Sequence, residues 1–184
     1  MANILVISGH PRLDHSNANA TIIKKLESSG LDLSVLYLHK GGYTFDVPAA
    51  QEALREAKAV VFQFPIFWYS YPSLMKKWVE DVFAHGFAYG SQGTALKGKD
   101  FFISCTTGGP EQAYRAEGMQ KHTLKEFFYN FDQIAALCGM KLHEPFVTYG
   151  CAYVPGMSPS SVKERIVKEA ENHADRLILE LKKI

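Results

Sequence analysis

Five short runs rich in β-branched and aromatic residues, at positions 3–8, 32–38, 59–64, 100–105 and 141–149, alternate with longer segments in which apolar residues return every third or fourth position. The spacing predicts five strands separated by helices. The first and third runs are apolar almost without a break. That is the pattern of parallel strands covered on both faces; a sheet with one wet face shows cleaner alternation. An open α/β sheet between layers of helices is therefore expected.

The helical segments carry their own punctuation. Pro72 sits near a first turn, and Leu74, Met75, Trp78, Val79, Val82 and Phe83 recur at helical spacing until Gly86, a core-facing stripe. Thr123 and Glu126 match a capping box, followed by Phe127, Phe128, Phe131, Ile134 and Leu137 as the expected buried side. The last helix begins around Ser158 and Pro159 and keeps Val162, Ile166, Ala170, Ala174, Leu177 and Leu181 in one stripe. No repeat, low-complexity tract or linker divides the chain, and 184 residues suffice for one domain. A single domain over 1–184 is expected.

Composition narrows the function by exclusion. Twenty basic and nineteen acidic residues give a formal charge of +1 with no basic cluster, so nucleic acid is not an expected partner. Cys105, Cys138 and Cys151 are an odd number without CxxC spacing, as in a reduced, intracellular protein. The apolar run at the start is too short for a signal peptide or membrane span, and a soluble, cytoplasmic protein is expected. His10, His15, His85 and His122 are not spaced as metal ligands, and no metal is expected.

In an open parallel sheet, ligands sit beyond the carboxyl ends of the strands, where the strand order reverses. The loops after the first, third and fourth strands are also the chain's least ordinary: GHPRLDHSNAN, PIFWYSYP and TTGGPEQAY. The first is longer than the usual ~2–6 residues and ends in Ser16-Asn17-Ala18-Asn19 at a helix start, where hydroxyl and amide groups beside free backbone N–H groups suit a phosphate. Neither GxxxxGK[ST] nor GxGxxG is present, which disfavours a nucleoside triphosphate or a tightly held NAD. The second loop stiffens Phe67, Trp68 and Tyr69 between Pro65 and Pro72. In the third, Thr106 and Thr107 precede Gly108 and Gly109, whose backbone can approach a ligand edge. A phosphate site, a flat aromatic wall and a polar edge together fit a flavin mononucleotide.

On these segments, and on QFPIFWYSYPSLMKKWVEDVFAHGFAYG and GTALKGK in the same order, the chain resembles the flavodoxin-like NAD(P)H:quinone oxidoreductases. That family includes bacterial quinone reductases and the ancillary subunits of glutathione-regulated potassium-efflux systems. The resemblance implies a three-layer fold with a parallel sheet in the order 2-1-3-4-5. It implies phosphate and ribityl contacts from His10, Ser16, Asn17, Ala18 and Asn19. Ile66, Phe67, Trp68 and Tyr69 become the wall along the isoalloxazine, and Thr106, Thr107, Gly108 and Gly109 the pyrimidine end. Tyr114, with Gly108 and Gly109, would act in catalysis by donating to the edge that gains charge, together with the Thr107 amide. Tyr89 in FAYG would reach the substrate of a partner subunit in a homodimer, with Trp68 and Gln120 also at the substrate. Gln120 stands where the family often has a histidine, and His122 lies two places on.

The implied reaction is a two-electron, ping-pong transfer from NADPH or NADH to a quinone through FMN, with FAD the alternative. Two other roles stay open: a regulatory ancillary protein at a potassium-efflux antiporter, peripheral at the inner face of the cell membrane, and a flavodoxin-like electron carrier.

Overall fold

The structure, a computed structural model, describes residues 3–184; Met1 and Ala2, the first two residues of the expected 1–184 domain, lie outside the described residues. Its strands are β1 (Ile4–Ser8), β2 (Leu33–Tyr37), β3 (Ala59–Pro65), β4 (Asp100–Thr106), β5 (Lys141–Leu142) and β6 (Phe146–Thr148). The helices are α1 (Asn17–Glu27), α2 (Val47–Glu56), α3 (Ser73–Val82), α4 (Tyr129–Cys138) and α5 (Ser160–Leu181).

All strand pairs are parallel, in the order β2-β1-β3-β4-β5, with β6 also beside β4. The order is the expected one. The last strand differs: the single run expected over 141–149 is broken into β5 and β6. His143 still donates its amide to the Phe101 carbonyl (2.9 Å), but Pro145 has no N–H to continue the ladder. Pairing resumes at Phe146 opposite Ser104.

The continuous apolar runs feed two cores by turns, because successive strand residues point to opposite faces. Leu5, Ile7, Val60, Phe62, Phe64, Phe101 and Ile103 pack under α2, α3 and α4. Ile4, Val6, Ala59, Val61 and Phe102 pack under α1 and α5. Three layers result, and every predicted core residue of α3 is buried. In α5 the expected stripe from Ile166 to Leu181 is buried, with Val162 packed at its edge.

Two local expectations need correction. Glu126 does accept from the Thr123 amide (2.6 Å), but the Thr123 hydroxyl donates to that same carboxylate (2.8 Å) instead of accepting from the helix. The box therefore opens a short 3-10 turn, Glu126–Phe128, ahead of α4. Leu137, expected in the core, is 59% exposed, while Ala135 and Cys138 are buried in its place.

Candidate functional site

β1 pairs with β2 on one side and β3 on the other, so the connection after β1 runs into α1 on one face of the sheet, that after β3 into α3 on the other, and a crevice opens at the carboxyl ends of β1 and β3. A groove of about 250 Å³ lies there. Its walls come from the loop after β1 (His10 and His15 to Asn19), the end of β3 and its loop (Pro65, Ile66, Phe67), the end of β4 (Thr106, Thr107, Gly108) and the segment after β6 (Cys151, Ala152, Tyr153).

The β1 wall is built to donate hydrogen bonds. Ser16 caps α1, its Oγ accepting from the Asn19 amide (3.1 Å). The Thr21 hydroxyl closes on the Asn17 carbonyl (2.7 Å) and fixes the first turn. Among the described residues the amides of Asn17 and Ala18 have no acceptor in the chain, so they stand free at the positive end of the helix dipole. His10 accepts the Arg12 amide on Nδ1 (3.0 Å), which places its own proton on Nε2. Burial, followed by the positive neighbours His39 and Arg12, lowers its pKa to about 4. It is a neutral donor at physiological pH.

The β3 loop supplies the flat surface. Phe67 and Ser70 exchange backbone hydrogen bonds (2.9 and 3.1 Å) around Trp68 and Tyr69, both at positive φ (47° and 68°). This is the pattern of a type I′ turn, whose two central positions favour Asn and Gly. Bulky residues there cost about 1–2 kcal/mol each. Trp68 in this turn is 92% exposed, and such backbone outliers cluster at functional sites.

Trp68, Tyr69, Gly109 and Tyr114 do not line the groove itself. They continue its rim: Tyr69 packs on Phe127 (ring centroids 5.4 Å), Phe127 on Tyr114 (6.2 Å) and Tyr114 on Tyr149 (5.8 Å). The Tyr114 ring and hydroxyl lie directly over Gly109, 3.5 Å from where a Cβ would stand. Among the described residues that hydroxyl has no partner, nor do the amides of Gly108 and Gly109. The Thr107 amide, expected to face a ligand, is spent on the Thr148 carbonyl (2.9 Å), and its hydroxyl on the Gly109 carbonyl (2.8 Å).

Gln120 is half-buried and its amide ties back to the Ala113 carbonyl (2.9 Å), closing the 113–120 excursion. His122 lies outside, 3.2 Å from Glu126 and 6.2 Å from the Phe127 ring centroid. Glu126 is held down to about 2, first by the Thr123 amide and hydroxyl and then by His122. Tyr89 sits elsewhere. Its carbonyl accepts from Gly86 and its ring rests edge-on against His85, while neighbouring Phe87 packs under Arg55 at the end of α2. That is the amino-terminal edge of the sheet, so Tyr89 does not reach the groove of its own chain.

Sequence reasoning missed two parts of the site. Cys151, Ala152 and Tyr153 close the groove opposite β1; burial above all pushes the Cys151 thiol up to about 11, which keeps it protonated and un-nucleophilic. Gln63, Ser104, His173 and Thr148 form a buried polar row beneath it. Their signal was a polar residue inside an otherwise apolar run, the informative exception in a core.

The model of the flavodoxin-like fold family matches residues 2–177. An uncharacterised NAD(P)H oxidoreductase, YrkL, of Bacillus subtilis is 36% identical over 165 residues, covering 89% of this chain and 94% of its own. A glutathione-regulated potassium-efflux ancillary protein, KefG, of an Enterobacter species is 34% identical over 149 residues, 80% of this chain and 81% of its own. Among solved structures, general stress protein 14 of Treponema denticola, crystallised with FMN, superposes with a TM-score of 0.85 at 26% identity, covering 95% of this chain and 97% of its own. With its sheet order, its rim groove and these relatives, the chain belongs to the flavodoxin-like fold family.

Proposed function

We propose that residues 1–184 form one flavin-binding domain that catalyses NAD(P)H-dependent reduction of quinone-type acceptors, with FMN as the cofactor. The observation that carries this reading is the juxtaposition of a donor-lined groove with a strained, solvent-facing Trp68-Tyr69 turn. The free amides of Asn17 and Ala18, the Ser16 hydroxyl and neutral His10 suit a phosphate tail. Ile66, Phe67, Trp68 and Tyr69 offer a face to a planar ring, and Gly108, Gly109 and Tyr114 present donors to its polar edge.

A bound flavin supplies the hydride chemistry; the protein contributes orientation and electrostatics. The open aromatic surface beside the groove would give donor and acceptor the same place, so they bind in turn and initial-rate plots should be parallel. The Tyr114 hydroxyl, without a partner among the described residues, would donate where charge accumulates. A well-aimed donor to an oxyanion contributes roughly 3 kcal/mol in other enzymes. Charge spread over a ring system needs less, so Tyr114→Phe should lower kcat with NADPH and menadione about tenfold; an unchanged rate removes Tyr114 from that role. Tyr89 would serve a partner subunit's site in a homodimer, with Gln120 at the acceptor.

The experiment for the whole reading is the visible spectrum of the purified protein, with mass identification of released cofactor, followed by NADPH–menadione turnover. FMN absorption and turnover are expected; FAD in its place would change only the cofactor. A colourless protein that takes up neither FMN nor FAD overturns it. The likeness to KefG supports a second reading, an ancillary partner of a potassium-efflux antiporter, which co-purification with such an antiporter would test. No helix among the described residues is long and apolar enough to cross a membrane.

A further inference from the structure

Beneath the groove a chain of buried side chains crosses the sheet from α5 to α1. Thr148 Oγ1 lies 2.8 Å from His173 Nδ1, and His173 Nε2 lies 2.7 Å from Ser104 Oγ. Ser104 donates to Gln63 Oε1, Gln63 Nε2 donates to Asn19 Oδ1 (2.8 Å), and Asn19 Nδ2 donates to both Thr106 Oγ1 (2.9 Å) and Ser16 Oγ (3.1 Å). Thr148, His173, Ser104, Gln63, Asn19 and Thr106 are each at most 5% exposed. Gln63 and Ser104 stand opposite each other in register and face the α1–α5 side. Of the row, Ser16, Asn19 and Thr106 line the groove, Ser16 half-open and the other two buried.

Each link constrains the next, because a hydroxyl has one proton and an amide has a donor end and an acceptor end. Ser104 gives its proton to Gln63, so it must accept from His173, which therefore carries its proton on Nε2. Thr148 then donates to Nδ1. The direction is uniform: every donor points toward Ser16. Ser16 Oγ receives the Asn19 amide and the Asn19 side chain, which occupy its lone pairs and leave its own proton to point outward. Reversing every link would also satisfy the chain internally, but Asn19 would then present Oδ1 to Ser16 and draw that proton inward, turning lone pairs toward the groove.

We propose that Gln63, Ser104 and His173 are positioning residues that hold Ser16 as an outward hydrogen-bond donor, and so tune the groove for a phosphate group at a distance from it. This rests on the phosphate end of the flavin reading. A buried row made of neutral groups transmits orientation without placing a charge near the dianion.

Gln63→Glu tests it with little change of shape. An ionised carboxylate has no donor end, so in that form Asn19 turns Nδ2 toward it and Oδ1 toward Ser16, reversing the last links; burial favours the protonated form, so the titrations are made on the alkaline side of neutrality. Flavin fluorescence titrations of apoprotein compare FMN with riboflavin, which lacks the phosphate. FMN should bind at least about tenfold more weakly to Gln63→Glu, the scale of one hydrogen bond to a charged group, with riboflavin affinity within about twofold of the original. Thr148→Val, isosteric and at the far end of the row, should move the same ratio in the same direction by a smaller factor, and Thr148→Ser should restore it. Equal weakening of FMN and riboflavin, no change in their ratio, or an FMN-selective loss in Gln63→Glu that the uncharged Thr148→Val does not share overturns the proposal, the last because it is repulsion of the phosphate by a new carboxylate. Thermal shifts with inorganic phosphate separate it from the flavin reading. Stabilisation of the original protein by phosphate that both Gln63→Glu and the uncharged Thr148→Val weaken sustains the row even if no flavin binds; no phosphate effect and no flavin binding discard both.

Discussion

Phe62→Ala is expected to cost about 4 kcal/mol, the middle of the range for truncating a buried aromatic ring. Phe62 is fully buried and is the hub of the core on the α2–α4 side, with the rings of Phe101 at 4.9 Å, Trp78 at 6.0 Å, Phe83 at 6.2 Å and Phe131 at 6.4 Å. Three of these approach edge-on and one is tilted, arrangements that add to area burial. These neighbours come from two helices, an adjacent strand and the turn after α3, so no single element can relax into the cavity. Domains of this size are stable by only about 5–15 kcal/mol, which leaves the variant folded but marginal. Urea unfolding should show a lower midpoint with an unchanged slope. If the groove takes FMN, the cofactor at one hundred times its dissociation constant should return about 2.7 kcal/mol. A loss below about 1 kcal/mol would mean that the cluster does not hold the sheet to its helices.

That cluster was legible in the sequence because fully buried parallel strands leave an unbroken apolar run, and α3 showed its spacing without interruption. Leu137 was misplaced for a geometric reason. Steps of three residues advance 300° on a helix, so a stripe continued from Phe128 through Phe131 and Ile134 drifts by about 60° each time and reaches the far side at Leu137. The true core face alternates steps of three and four and ends in Ala135 and Cys138, residues too small to stand out. The broken last strand was signalled by Pro145 within the run, but apolar residues on both sides masked it.

The rim loops could be read as a site from their position and unusual residues; the connections among them could not. Nothing local says that the Thr107 amide is taken by Thr148, since those residues are brought together only by the β4–β6 ladder. The strain at Trp68 and Tyr69 likewise appears only when the turn closes. His173 is the instructive omission. It lies within the apolar stripe of α5, between Ala170 and Ala174, where its burial follows from helical period, yet its partners are about 25 and 69 residues away in the chain.

Burial makes His173 an acid-sensitive element. Desolvation, and then the Arg176 charge, lower its pKa to about 3, while the unfolded chain holds it near 6.5. A base with a depressed folded pKa contributes stability that is complete above pH 6.5 and is lost as pH falls, because the unfolded state takes up the proton first. The loss should reach about 2 kcal/mol by pH 5 and about 4 kcal/mol by pH 3. His10 works in the same direction, its half-open position in the groove reducing its share. Carboxylates contribute little between pH 7.5 and 5, since their unfolded values lie below that window; Glu126, held down to about 2, acts only at lower pH. Urea unfolding at pH 7.5 and pH 5.0 isolates the histidines. His173→Gln should start less stable at pH 7.5, having lost a buried hydrogen-bond partner, but its decline to pH 5.0 should be about 2 kcal/mol smaller than the original protein's. Equal declines would mean that His173 takes up its proton without unfolding, which a neutral, fully partnered imidazole buried between α5 and the sheet does not allow.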